Sequence, residues 1–96
     1  MHVERKDHDV WVTIGDLNIP MRISPYLART ISKGLKDVLR DGGNKRWVWG
    51  QSRLAITVSK GEATILLHDS VSAKVTYDEL RELSATLNSH ALGTSD

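Results

Sequence analysis

The sequence predicts an α+β domain in which an antiparallel sheet is covered by two amphipathic helices, in the order β-β-α-β-β-β-α. Three observations carry this expectation. Apolar residues alternate with polar ones through 10–23 and again through 54–75, which is the period of strands with one buried face. Apolar residues recur at helical spacing through 27–39 and 80–91. Each helical stretch also opens on a capping signal, Ser24-Pro25 in one case and Thr76-Tyr77-Asp78-Glu79 in the other. A meander with one apolar face needs a cover, and two such helices supply it.

Residues 1–9 are charged and read as a flexible N-terminal segment ahead of a single domain at 10–92. Val10, Val12 and Ile14 then alternate with Trp11 and Thr13, and Ile19, Met21 and Ile23 alternate after Gly15-Asp16-Leu17-Asn18. A hairpin closed on that four-residue loop pairs Ile14 with Ile19, Val12 with Met21 and Val10 with Ile23, all on one face. Pro20 has no amide hydrogen, so its strand belongs at an edge or is locally interrupted. Leu27, Ile31, Leu35 and Val38 or Leu39 line the first helix, which Gly42 or Gly43 ends. Gly34 sits inside it, at a cost of about 1 kcal/mol relative to Ala, and so points to a close approach by another element.

Leu54, Ile56 and Val58 run to a two-residue turn at Lys60-Gly61, and Ala63, Ile65 and Leu67 return. Val58 is thereby paired with Ala63, Ile56 with Ile65 and Leu54 with Leu67. After His68-Asp69-Ser70, Val71, Ala73 and Val75 add a third strand on the same face. The segment from Trp47 to Trp49 is open to one more strand. Leu80, Leu83 and Leu87 line the last helix, His90 falls at its fraying end, and residues 93–96 read as a flexible tail.

Residues 23–35 are echoed fifty-two positions later, with Arg29/Arg81, Ser32/Ser84 and Leu35/Leu87 identical. The echo has two readings. Any strand running into an amphipathic helix looks alike, or the chain holds two repeated hairpin-helix units related by a pseudo-twofold axis.

Composition narrows the function. Ninety-six residues suit one core, and the absence of Cys excludes a disulfide scaffold and a thiolate metal site. The expected location is the cytoplasm, with no signal-like apolar stretch at the N-terminus and no membrane segment. The four His residues (His2, His8, His68, His90) are scattered without metal-ligand spacing, so no metal and no cofactor is expected. His68-Asp69 reads as a turn rather than an acid-base couple, and Asp78 and Glu79 read as first-turn residues of a helix. Gly42-Gly43 closes a helix where a phosphate loop opens one. No enzymatic activity is expected.

Charge is uneven along the chain. From Arg29 to Arg53 seven basic residues stand against Asp37 and Asp41, whereas from Glu62 to Asp96 six acids stand against Lys74 and Arg81. The basic half contains the candidate site, Lys45, Arg46, Trp47, Trp49 and Arg53. In an extended segment Trp47 and Trp49 share one side and Val48 takes the other. Three roles suit such residues: indoles filling the core of a Phe-free protein, Trp and Arg anchors of a protein interface, or bases stacked on indoles with phosphates on the cations. The leading expectation is a non-enzymatic module acting through protein-protein contacts, including self-association as a homodimer. The alternative is a nucleic-acid-binding accessory protein using 44–53, against which the moderate pI of 8.1 weighs.

Overall fold

The charged N-terminus is a strand. In the computed structural model, which describes residues 1–6 and 9–92, β1 (His2–Lys6) pairs antiparallel with β2 (Asp9–Ile14), and β2 with β3 (Leu17–Met21). This corrects the expectation of a flexible segment at 1–9. Its physical basis is one residue: Val3 lies opposite Val12 and enters the core, while Glu4, Arg5 and Lys6 stay exposed. A single apolar residue in five makes no period to detect, and charges along an outer strand discourage further pairing. Asp7, His8 and the tail expected at 93–96 lie outside the described residues.

The first hairpin turns earlier than the four-residue loop predicts. Ile14 faces Leu17, Val12 faces Ile19 and Val10 faces Met21, across the two residues Gly15-Asp16. Gly15 takes φ +59, which a glycine supplies without strain at the first position of a tight hairpin turn. The partners shift by two residues, so every apolar side chain keeps its predicted face. Pro20 does lie in an edge strand, β3.

The chain continues through α1 (Pro25–Asp41), β4 (Gly43–Trp49), β5 (Ser52–Ser59), β6 (Glu62–Leu67), β7 (Val71–Val75) and α2 (Tyr77–Leu92). The strands β4-β5-β6-β7 form a second antiparallel sheet, and pairing within β5, β6 and β7 is as the alternation predicts. The observed order is therefore β-β-β-α-β-β-β-β-α, two strands more than predicted. The caps are the predicted ones. The Leu27 amide donates to Ser24 Oγ at 3.2 Å, the Glu79 amide to Thr76 Oγ1 at 3.0 Å, and the Thr76 amide to Glu79 Oε1 at 2.8 Å.

The helices pack on each other through the echoed positions. Ser32 and Ser84 are both buried, Ser32 Oγ donates to the Ser84 carbonyl at 2.9 Å, and Ser84 Oγ donates to the Ser32 carbonyl at 3.1 Å. Exchanging the helices maps this contact onto itself, the form a pseudo-twofold pair requires. Leu35 and Leu87 are both buried, as are Ile31 and Leu83, while Arg29 and Arg81 are both exposed. The helices also cross over. The backbone of α1 approaches β4 and β5, whereas α2, which follows the second sheet, approaches β1 and β2 of the first. Each half thus covers the other, and both sheets and both helices share one core.

Glu79 ties this arrangement to pH. The Met1 amino group, then the Thr76 amide, hold its carboxyl below the ordinary carboxylate range. A depressed carboxylate contributes stability that is present above its unfolded value of 4.5 and is lost as pH falls through the lower folded value. Stability should therefore decline from about pH 5 downward, and Glu79→Gln should flatten that decline. At pH 7 the same substitution should cost about 1 kcal/mol of cap and charge interaction. Denaturant titrations of both proteins between pH 3 and pH 7 check this.

Candidate functional site

The pleat of the second sheet divides the five residues expected to act together. Trp47 and Trp49 are half-buried on the helix-facing side of β4, packed against the core, and Lys45 shares their side. Arg46 lies opposite Ala55, and Val48, 61% exposed, lies opposite Arg53, all on the outer side. Arg53 is further held by the carboxylate of Asp69. The indoles and the outer cations therefore do not form one surface.

Each indole has a packing partner. A Cβ added at Gly34 would stand 2.5 Å from Cζ2 of Trp47 and 3.3 Å from Cδ of Lys45, so the glycine in mid-helix is the seat on which β4 rests. The Nε1–H of Trp49 donates to the Arg22 carbonyl at 2.8 Å, fastening the end of β4 to the chain entering α1. Core filling and cross-bracing describe these two residues. Trp11, not singled out in the sequence, lies on the opposite side of β2 from the buried Val10 and Val12, with Pro20 and Glu4 as its neighbours.

The structure instead assembles a row of cations that local motifs did not reveal. Arg29, Lys33, Lys36 and Arg40 occupy i, i+4, i+7 and i+11 of α1, all exposed, and so run along one side of the helix for about 16 Å. Arg40 is engaged by Asp37 and Asp41, and its guanidinium holds the Asp41 carboxyl below its ordinary value. Among the described residues, Arg29, Lys33 and Lys36 form no ion pair. Helical periodicity contained the signal, because the polar side of an amphipathic helix can be read for charge as its apolar side is read for burial. Beside the row, α1 and α2 bound a groove of about 530 Å³, to which Lys36, Leu39 and Arg40 contribute from one helix and Arg81, Ala85 and Asn88 from the other.

His68 and His90 each make a hydrogen bond to the backbone of a distant segment. The Arg53 amide donates to His68 Nδ1 at 3.3 Å, and His68 and Asp69 both adopt positive φ in the turn between β6 and β7. His90, expected at a fraying end, is buried, and its Nε2–H donates to the Ile23 carbonyl at 2.9 Å. Its Nδ1 has no hydrogen-bond partner among the described residues. The spacing Leu80, Leu83, Leu87, His90 already places it on the apolar stripe of α2. Among the described residues no group of three or more His, Asp or Glu is placed to hold a metal ion, and no helix is long and apolar enough to cross a membrane.

Comparison of the chain with protein-family models, with curated proteins and with solved structures found no match.

Proposed function

We propose that this protein is a non-enzymatic binding module that contacts a partner protein of acidic character through the exposed side of α1. One observation carries the proposal: Arg29, Lys33 and Lys36, without ion pairs among the described residues, form a row of cations along α1, extended by Arg40 and flanked by a groove. Rows of like charge steer encounter and set partner choice, and arginine is prominent among interface anchors. Lys45 stands apart from the row, because its stem lies against Gly34, which the helical period sets roughly 130° around α1 from those cations. Arg46 and Arg53 belong to the other side of the sheet, and Trp47 and Trp49 support the surface from beneath. Nucleic acid is the weaker reading, since neither indole of the basic segment lies on its outer side as a stacking platform.

The test is capture from nuclease-treated host extract by the wild type, by Lys33→Glu/Lys36→Glu and by Arg46→Glu. A protein retained by the wild type and by Arg46→Glu, but lost with the double variant, is the expected result. Capture that vanishes on nuclease treatment, or that ignores the charge reversal, overturns the reading. Self-association belongs to the same proposal, resting on the outer strands β3, β4 and β7, each with one neighbour in its sheet. Sedimentation at micromolar concentration should show mass above the 10.7 kDa protomer, and a species of that mass throughout removes the homodimer.

A further inference from the structure

The groove between α1 and α2 joins two chemistries that no single helix face provides. Leu39, half-buried, and Ala85 give it an apolar element, and Lys36, Arg40 and Arg81 place positive charge around them. Asn88 adds an amide that donates and accepts hydrogen bonds. Arg40 and Arg81 are paired with carboxylates of their own helices, at 3.1 Å to Asp41 and 2.7 Å to Asp78. Exposed pairs of that kind are weak and exchange readily for a better-placed anion. Lys36 needs no exchange at all, and Lys33 and Arg29 continue the charge along α1.

An occupant that satisfies both chemistries carries carboxylates on one side and small aliphatic side chains on the next. A phosphodiester chain meets the charge but gains nothing from Leu39 and Ala85, and no aromatic ring lines the groove for its bases to stack on. A helix matches better. Two packed helices offer a trough in which a third can lie, and here cations stand on both rims, Lys36 and Arg40 on α1 and Arg81 on α2, with Leu39 and Ala85 between them. We propose that the α1–α2 groove is the docking site for an acidic amphipathic helix of a partner protein, with its carboxylates on Lys36, Arg40 and Arg81 and its aliphatic side chains on Leu39 and Ala85. The proposal rests on the protein-binding reading given above and specifies what that partner presents.

The probe is a fluorescein-labelled helical peptide built from Ala, Leu and Glu, with Glu at 4-3-4 spacing beside a Leu stripe. Its comparators are the same peptide with Gln for every Glu, an unstructured polyglutamate and a single-stranded oligodeoxynucleotide. Fluorescence anisotropy should show saturable binding of the Glu helix, weakened by salt, and weaker binding of all three comparators. Lys36→Glu/Arg81→Glu should reduce that affinity by about tenfold or more, while Arg46→Glu on the outer side of β4 should leave it unchanged. Circular dichroism should show all variants folded, because the substituted side chains are exposed. Equal binding of helix and polyglutamate, indifference to the groove variants, or preference for the oligonucleotide each overturns the proposal. If the Glu helix fails while the Lys33→Glu/Lys36→Glu variant still loses a captured host protein, the helical occupant is wrong and the partner-binding reading stands. If neither assay responds, both fall.

Discussion

Leu35→Ala and Leu83→Ala should each lower folding stability by about 2–5 kcal/mol, because each truncates a core side chain with no solvent exposure. Leu35 is central to the apolar stripe of α1 and Leu83 to that of α2, and both helices face one continuous core. The cavity left by either truncation cannot be filled by moving one helix, since the reciprocal Ser32–Ser84 contact fixes where they cross. The midpoint of urea unfolding should therefore fall with little change in slope, as expected for a stability change within one cooperative unit. Losses below about 1 kcal/mol at both positions would show that the helices do not cover the sheets as described.

At Gly34 the expected result runs against helix propensity. In an isolated helix Gly→Ala gains about 1 kcal/mol. Here the added methyl meets the indole of Trp47 at 2.5 Å, and the six-membered edge of a rigid ring yields only by moving β4. Gly34→Ala should therefore destabilise by about 1–3 kcal/mol, the usual cost of overpacking. Trp47→Ala should cost about 2–3 kcal/mol, below the range for a fully buried Trp because this one is half-buried. Combined, the substitutions should not add: in the Trp47→Ala background Gly34→Ala should stabilise by about 0.5–1 kcal/mol. A double-mutant cycle by denaturation measures that reversal of sign. Additive losses would mean that the indole does not rest on the glycine.

These two experiments also bear on the candidate site. If Trp47 braces β4 against α1, its truncation weakens partner binding only through stability, whereas charge reversal on α1 weakens binding with the fold intact. The division follows from strand geometry. Neighbouring residues of β4 point to opposite sides, so Lys45, Trp47 and Trp49 cannot share a surface with Arg46 and Val48. Adjacency in sequence grouped residues that the pleat separates. Arg29, Lys33, Lys36 and Arg40, spread over twelve positions, are brought into line by the helical period instead.

Much of the fold was legible because its determinants are local. The caps at Ser24 and Thr76 are satisfied within three residues, and the Lys60-Gly61 turn fixes the register from Val58 to Ala63 and onward to Leu54 and Leu67. The faces of β2 and β3 survived a shift of two residues because a period of two is indifferent to it. What lay beyond reach depends on contacts between distant segments. Val3 makes a strand of a charged terminus only because Val12 and the core receive it. The strand Gly43–Trp49 carries too few buried residues to declare itself, and it holds because β5 pairs with it and Gly34 leaves room for its indole. The position of His90 on the apolar stripe of α2 was legible, but its partner, the carbonyl of Ile23 sixty-seven residues away, was not. Periodicity and capping thus determined which side of each recognised element is apolar and where both helices begin. The crossing of α1 over β4 and β5, the covering of β1 and β2 by α2, and the groove between the helices were decided by tertiary packing, because each depends on surfaces that meet only after the local elements exist.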